Sequence, residues 1–301
     1  MGKGNFMLIH ACILAAVLCQ PDTRPAAAAP TVFFQAHRGG VDEVPENTLP
    51  AYEHAWKIPG AVPEADLQTT SDGVIVLIHD DTPARTTDAP EPWASKKIRE
   101  IPYAELSQWD AGAKFNESFR GARIPTLLEV LDLMVQDRTR QMYFDMKAVK
   151  VDTVLELIRK YEIEKQVIFV HGSVAACLKL SRLYPGARTM TWLSGTPEQV
   201  LTKWDLLKKK NFEGISQLQF HLPVQENSDP PAYVLDEAFL RQAVEDLAAL
   251  GKALQLRPMK YTPQSLAPLL KLGVSWFVTD APADFYKNVA AAQALLAADK
   301  N

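Results

Sequence analysis

Two histidines and a pair of acidic residues lie near one another in the sequence, in a pattern that could carry acid–base chemistry. His37 and His79 each follow a short apolar run, and Glu64 and Asp66 lie between them, two residues apart. Histidine exchanges protons near neutral pH, so two histidines beside acidic groups suit general acid and base catalysis on a phosphate ester. A lone Glu-x-Asp pair is common on exposed strands, and a lone histidine is more often structural. The interpretation therefore depends on the combination rather than on any one residue.

A metal site is the second prediction from this pattern. Side chains two apart on a strand point the same way, so Glu64 and Asp66 share one face. Asp145 and Lys147 have the same spacing at the end of another apolar run. Three carboxylates from two strands form an oxygen site suited to one divalent cation, Mg²⁺ or Ca²⁺. Lys147 and Arg38 can hold the anionic oxygens of a phosphate group.

The elements that must position these residues alternate between short apolar runs and longer helical patterns. The predicted strands are residues 31–36, 61–67, 74–78, 141–146, 167–170, 188–193, 214–220, 252–256 and 274–279. Asn47 is predicted to cap the first helix, and Thr126 with Glu129 forms a capping box for a later one. About eight strand–helix units in about 270 residues fit an α/β fold, the TIM (β/α)₈ barrel. A doubly wound sheet would show the same alternation, but no Gly-x-Gly-x-x-Gly follows the first strand and there is no Walker loop.

Residues 82–123 interrupt this alternation after the second barrel unit. They contain four prolines, several clusters of charge, and the tryptophans Trp93 and Trp109. A connection of about 40 residues is too long for an ordinary loop in a compact domain. We therefore predict an insertion here, placed as a cap beside the active site.

Residues 1–29 have the pattern of an export signal. Lys3 gives a positive start, residues 7–18 are apolar but too few to span a bilayer with ease, and the alanines at 26–29 offer a cleavage site. We expect a signal peptide at 1–29, a barrel domain at 30–301, and a protein that is periplasmic or secreted. An uncleaved anchor is the alternative.

The composition narrows the class of protein further. The chain has 301 residues, of which 47% are hydrophobic, which suits a globular protein with a large core. A net charge of −4 gives no reason to expect a nucleic-acid partner. Cys177 is the one cysteine after residue 29, so we expect no internal disulfide and a buried, unreactive thiol.

A set of short motifs runs along the chain in a fixed order. The motifs are His37-Arg38-Gly39, Pro45-Glu46-Asn47-Thr48, Glu64-Ala65-Asp66, Asp72-Gly73, His79-Asp80, Arg85-Thr86-Thr87, Ile124-Pro125-Thr126-Leu127 and Thr279-Asp280-Ala281-Pro282. Together they resemble the glycerophosphodiester phosphodiesterase family, and the resemblance spans nearly the whole chain after residue 29. Joint matching in this order is far more specific than any single motif.

The resemblance implies a TIM barrel, one divalent cation, and hydrolysis of glycerophosphodiesters to an alcohol and sn-glycerol 3-phosphate. It implies that His37 and His79 are the acid and base. The segment 82–123 resembles the insertion that distinguishes this family among related barrel phosphodiesterases. The implied partner is a small-molecule substrate.

The resemblance also implies roles for the charged residues. Glu64 and Asp66 become metal ligands, and Arg38 and Lys147 become phosphate contacts. Asp145 stands where the family usually has glutamate, and its shorter side chain places the choice and affinity of the metal in question.

Two other functions are compatible with these residues. A lysophospholipase D-like enzyme would use the same barrel on lipid headgroups, with Trp93, Trp109, Phe115 and Phe119 at a membrane surface. We favour the simpler interpretation that these aromatic side chains attach the insertion to the barrel, so membrane contact is the less favoured alternative. A non-catalytic binding barrel is the other alternative, and both histidines argue against it.

Overall fold

Eight parallel strands close into a barrel in the computed structural model, which describes residues 31–299. The strands are β1 (Phe33–Ala36), β2 (Ala61–Thr69), β3 (Ile75–Leu77), β4 (Met142–Ala148), β5 (Val167–Val170), β6 (Arg188–Leu193), β7 (Gln217–Leu222), β8 (Ala253–Pro258) and β9 (Trp276–Thr279). All of them except β3 belong to the barrel. The barrel closes because β1 pairs in parallel with both β2 and β9. The predicted (β/α)₈ fold is confirmed.

Helices follow the barrel strands and cover the outside of the barrel. They are α1 (Leu49–Trp56), α2 (Tyr103–Leu106), α3 (Leu127–Val135), α4 (Val151–Tyr161), α5 (Val174–Leu183), α6 (Pro197–Lys208), α7 (Glu237–Ala249), α8 (Pro263–Lys271) and α9 (Pro282–Ala298). The capping box of Thr126 and Glu129 starts α3 as predicted, because each residue bonds the backbone N–H of the other. Asn47 is not the cap of α1; Thr48 occupies that position.

The predicted strand at 74–78 has a different place from the other eight. It is the three-residue strand β3, and it pairs antiparallel with β2, outside the ring of parallel strands. A turn at 70–74 joins the two strands, with Gly73 at a φ of +88°. Parallel strands need a crossover of a dozen or more residues, and a connection this short permits only a hairpin. The apolar pattern indicated a strand correctly but did not show its direction.

The hydrophobic side chains form a layer outside the barrel and a smaller cluster inside it. Strand β4 shows the division, because its successive side chains point to opposite faces. Phe144 packs outside with Leu131 and Ile158, whereas Tyr143 lies inside with Ile168. Positions 145 and 147 therefore continue on the inner face, toward the carboxyl-terminal mouth of the barrel.

The segment 82–123 has little regular structure but packs on the barrel. It contains the short helix α2 and two 3₁₀ turns, at Ile98–Glu100 and Glu117–Phe119. Trp109 is buried and joins an apolar cluster with Val76 and Ile78 of the β3 region, and Trp93 packs against it. These two tryptophans attach the segment to the barrel, as expected. The expectation does not hold for Phe115, which is 41% exposed and lies outside this cluster.

Within residues 31–299, no helix has the length and apolar character needed to cross a membrane. The predicted signal peptide at 1–29 lies outside the described residues. Cys177 is buried and free, as predicted.

Candidate active site

A cavity of about 560 Å³ opens at the carboxyl ends of the barrel strands. Seven of its lining residues are those that the sequence predicts to be functional: His37, Arg38, Glu64, Asp66, His79, Asp145 and Lys147. A second cavity of about 470 Å³ lies at the opposite end of the barrel, near Trp56 and Gly60, and contains none of these residues. In TIM barrels the active site lies at the carboxyl end of the strands. The first cavity is therefore the candidate active site.

The three predicted metal-binding carboxylates lie together in this cavity. Each of Glu64, Asp66 and Asp145 offers a carboxylate oxygen, and these oxygens lie within 4.8 Å of one another. Asp66 and Asp145 are direct register partners on the neighbouring strands β2 and β4. Glu64 is one inward position below Asp66, which brings the third carboxylate under the other two. The all-oxygen donor set fits Mg²⁺ or Ca²⁺.

Mutual repulsion among these carboxylates supports the same assignment. Burial raises the pKa of Glu64 well above its usual range, and the charges of Asp66 and Asp145 raise it further. Burial and the charge of Asp66 raise the pKa of Asp145 to about 7, although Lys147 partly opposes the rise. Three crowded carboxylates are costly in a low-dielectric site, and a divalent cation removes that cost. The residues present therefore fit a divalent metal.

Lys147 and Arg38 partly offset the negative charge of the carboxylates. Lys147 Nζ lies 3.0 Å from Asp66 Oδ1, and the backbone N–H of Arg38 donates to Glu64 at 2.8 Å. The Arg38 guanidinium donates to Glu46 at 3.1 Å, yet its buried Nε has no hydrogen-bond acceptor among the described residues. Both side chains thus face the cavity with positive charge.

Asn47 has a role in the site that the sequence reasoning missed. Its side-chain amide donates to Asp66 Oδ2 at 2.8 Å, and its Oδ1 accepts from the backbone N–H of Asp66 at 3.1 Å. Tyr52 donates its hydroxyl to the same Oδ1 at 3.1 Å. Asn47 therefore fixes the orientation of a carboxylate in the candidate metal site instead of capping α1. Its place in the Pro45–Thr48 motif was the available signal.

His37 lies directly after β1 and is held by a carboxylate from the far end of the chain. Its Nδ1 lies 2.6 Å from Asp280 Oδ1, and Arg257 Nη2 donates to both oxygens of Asp280. The Asp280 carboxylate can only accept, so Nδ1 of His37 carries the proton and Nε2 is the free acceptor. Burial lowers the pKa of His37, the hydrogen bond to Asp280 opposes this, and Arg257 lowers it again. His37 is therefore a neutral imidazole at pH 7.

His79 lies in the loop after β3 and has a similar arrangement. Its Nδ1 is 2.7 Å from Asp80 Oδ1. Arg85 donates to both oxygens of Asp80 and to both oxygens of Glu46, which also accepts from Arg38. The hydrogen bonds from Arg85 hold the pKa of Asp80 well below its usual range. His79 is thus fixed by a network of ion pairs between two loops.

The sequence singled out both histidines but assigned no role to the residues that hold them. Asp80, Arg85, Glu46 and Asp280 all lie in the motifs of the chain. For Asp80, adjacency to His79 was a local signal. Asp280 has no local signal, since 243 residues separate it from His37.

Comparison with known proteins agrees with this geometry. The model of the glycerophosphoryl diester phosphodiesterase family matches residues 37–284. The chain is 34% identical over 172 residues to a glycerophosphodiester phosphodiesterase of Caldanaerobacter subterraneus, covering 52% of this chain and 68% of that one. It is 29% identical over 198 residues to a Bacillus subtilis glycerophosphodiester phosphodiesterase, covering 60% of this chain and 66% of that one. The chain thus spans about two thirds of the length of these relatives.

Solved structures of low sequence identity share the fold. The glycerophosphodiester phosphodiesterase of Agrobacterium tumefaciens superposes with a TM-score of 0.65 at 20% identity, covering 85% of this chain and 100% of that one. A phosphodiesterase of Oleispira antarctica, solved with the product sn-glycerol-3-phosphate, superposes with a TM-score of 0.65 at 23% identity, covering 86% of this chain and 96% of that one. Because the family model matches most of the described residues, the chain belongs to the glycerophosphoryl diester phosphodiesterase family.

Proposed function

We propose that this protein is a metal-dependent phosphodiesterase that hydrolyses glycerophosphodiesters to an alcohol and sn-glycerol 3-phosphate. The observation that carries the proposal is the meeting, in one cavity, of the carboxylate cluster and both histidines. Family membership gives the substrate class. The Oleispira antarctica structure with bound sn-glycerol-3-phosphate supports the product.

The two histidines divide the proton transfers of the reaction. His37 is neutral because its pKa is lowered, so its Nε2 can accept a proton from the attacking nucleophile. His79 donates a proton to the oxygen of the departing alcohol. Asp280 and Asp80 keep each imidazole in the tautomer with the proton on Nδ1 when it is neutral. Each group positioned in this way contributes on the order of 10²–10⁴-fold to the rate.

Glu64, Asp66 and Asp145 are the residues that would hold the cation. When bound there, a divalent cation supplies charge stabilisation to the phosphoryl oxygens. Arg38 and Lys147 add positive charge on the same side of the cavity and would bind the remaining phosphate oxygens. The native ion is Mg²⁺ or Ca²⁺, and the choice between them depends on the aspartate at position 145.

The experiment that tests the proposal is release of sn-glycerol 3-phosphate from glycerophosphodiesters by the purified protein. Chelation should abolish turnover, and either Mg²⁺ or Ca²⁺ should restore it. Glu64→Gln with Asp66→Asn is the matched variant, and it should stay inactive with either ion restored. Activity that survives chelation would contradict the metal requirement. A folded protein that releases no product from any glycerophosphodiester would contradict the function, and lysophospholipids would be assayed next.

We also propose that the protein is exported and acts in a periplasm or outside the cell. The support is the sequence of residues 1–29, with its charged start, apolar run and alanine-rich end. Amino-terminal sequencing of the protein made in its own host is the test. A mature protein that starts near residue 30 is expected, and one that keeps residues 1–29 inside the cell would contradict export.

A further inference from the structure

One side of the active-site cavity carries polar groups that the proposed reaction does not use. The carboxylates, Arg38, Lys147 and the two catalytic histidines come from β1, β2, β4 and the loop after β3. The remaining lining comes largely from β5 to β8, and its polar side chains are mostly uncharged. We call Gln35, His171, Gln219 and His221 the neutral polar side of the cavity. Their hydrogen-bonding capacity indicates what they bind.

Two buried amides form the floor of this side. Gln35 lies two residues before His37 on β1, and Gln219 lies two residues before His221 on β7, so each faces into the barrel below a histidine. Gln35 is 4% exposed and Gln219 is 3% exposed. Oε1 of Gln35 has no hydrogen-bond partner, and the Gln219 side chain makes no hydrogen bond with another described residue. Buried polar groups are nearly always paired, yet Oε1 of Gln255 inside the barrel is unpaired among the described residues as well. Gln35 and Gln219 differ from Gln255 because they line the cavity, so they are the amides that a ligand can reach.

The two other members are imidazoles without charge at neutral pH. His171 Nδ1 accepts the backbone N–H of Ser173 at 2.9 Å, which leaves the proton on Nε2, free to donate. Burial lowers the pKa of His221 to about 4, and the positive charge of Arg257 contributes. A neutral imidazole has one donor and one acceptor, and both of those in His221 lack a partner among the described residues. These groups match hydroxyls, which both donate and accept.

The same lining is a poor match for an ammonium group. The carboxylates that border the cavity within residues 31–299 are Glu64, Asp66 and Asp145, and all three belong to the metal site. Arg257 places a positive charge near His221 instead. Recognition of quaternary ammonium uses a cage of several aromatic rings, whereas Trp192 is the one tryptophan, tyrosine or phenylalanine among the lining residues. The lining therefore offers a choline or ethanolamine group no carboxylate outside the metal site, and the nearby Asp280 is already paired with His37 and Arg257.

We propose that the neutral polar side binds the hydroxyl groups of the departing alcohol, and that the preferred substrates are glycerophosphodiesters of polyols, such as glycerophosphoglycerol and glycerophosphoinositol. The proposal rests on the proposed function, because it assigns the alcohol half of that substrate. The phosphate, with a metal that Glu64, Asp66 and Asp145 would hold, would occupy the side formed by β2 and β4. The alcohol then extends toward β5 to β8, with Gln219 of β7 and Gln35 of β1 below it and His171 and His221 at its side.

The test compares kcat/KM for glycerophosphoglycerol and glycerophosphocholine in the metal-loaded protein and its variants. The wild-type ratio should favour glycerophosphoglycerol by about 10-fold or more, since a site built to bond hydroxyls rejects analogues that lack them. Gln35→Met and Gln219→Met remove an amide at similar side-chain length, and each should lower the ratio by about 10-fold. Gln255→Met is the control, because Gln255 is also a buried amide inside the barrel with an unpaired Oε1, but its Nε2 donates to Tyr143 and it does not line the cavity. It should leave the ratio unchanged.

The outcomes separate the two proposals. A wild-type protein that hydrolyses glycerophosphocholine as well as or better than glycerophosphoglycerol would overturn the polyol preference and leave the proposed function standing. Equal losses on both substrates in the glutamine variants would show that the amides bind the shared glycerol half, and would also overturn it. A folded, metal-loaded protein with no activity on either diester would overturn the proposed function and the preference with it. Thermal unfolding checks each variant, and we expect the melting temperature of Gln35→Met to be no lower than that of the wild type, because the substitution removes an unpaired buried oxygen.

Discussion

The two histidines of the site are oriented alike by different parts of the molecule. In each case a carboxylate lies within hydrogen-bond distance of Nδ1, at 2.6 Å for His37 with Asp280 and 2.7 Å for His79 with Asp80. His37 and Asp280 follow β1 and β9, which are paired strands of the barrel. His79 and Asp80 are neighbours in a loop, and Arg85 holds that pair in place by donating to Asp80. One pair thus depends on closure of the barrel and the other on a surface network.

Exposure differs between the two histidines. The side chain of His37 is 17% exposed and that of His79 is 32% exposed. Burial lowers the pKa of His37 and keeps it neutral, which suits a base. His79 is nearer solvent and lies just before the segment 82–123. A histidine–carboxylate pair can therefore suit the role of base in one position and of acid in the other when its surroundings differ.

The largest expected effect is loss of either imidazole. His37→Ala and His79→Ala should each lower kcat by about 10²- to 10⁴-fold, because each removes a proton-transfer group. Steady-state kinetics with saturating metal measures the loss, and circular dichroism checks the fold. His54→Ala is the matched control, since His54 also bonds a carboxylate, that of Glu43, but lies outside the cavity. Full activity of either variant would remove that histidine from the mechanism.

Replacement of Asp280 or Asp80, the carboxylate partners of the two histidines, should give the next largest effect. The two variants should differ in the pH dependence of kcat/KM. Asp280→Asn removes a group that raises the pKa of His37, so that pKa should fall further and the acidic limb of the kcat/KM profile should move to lower pH. The rate at neutral pH should fall by about 10- to 100-fold, because the ring loses its orienting acceptor.

Asp80→Asn is the comparison for the pH profile. It should lower the rate by a similar factor but leave the acidic limb in place, since Asp80 does not contact His37. An acidic limb that moves upward or stays fixed in Asp280→Asn would contradict the assignment of His37 as the base.

The smallest expected effect tests the surface network around His79. Arg85 donates to both oxygens of Asp80 and both oxygens of Glu46, a geometry that lysine cannot reproduce. Arg85→Lys should lower kcat by about 3- to 10-fold and leave metal affinity, measured by calorimetry, unchanged. Arg257→Lys is the matched change beside His37. If both variants moved the acidic limb equally, the two pairs would not be independent.

Much of the site could be predicted from local sequence because a strand imposes strict geometry. The two-residue spacing of Glu64 and Asp66 placed both on one face, and the strand end marked Asp145. The structure brings these three together at the mouth of the barrel. Lys147 followed from the same spacing. The roles of these residues in catalysis stay predictions until the variants are measured.

Other features of the fold and the site depended on tertiary contacts that local sequence does not encode. The pattern at 74–78 gave a strand but could not show that it pairs antiparallel with β2 outside the barrel. Asn47 had the chemistry of a helix cap, yet the nearby Asp66 carboxylate and backbone N–H use both ends of its amide. Tertiary competition for a polar side chain overrode its local preference in this case.

The sequence by itself determined the fold class, the family and the chemical types at the site. It could do so because the spacing of hydrophobic residues and the order of the motifs are present in the chain itself and do not depend on tertiary contacts. Only the tertiary structure decided which carboxylate orients His37, because barrel closure joins positions 37 and 280. It also decided that Gln35 and Gln219 are buried residues that line the same cavity, because that depends on which strands face each other across the barrel. Spacing fixes the direction of a side chain on its own strand, whereas packing decides what that side chain meets.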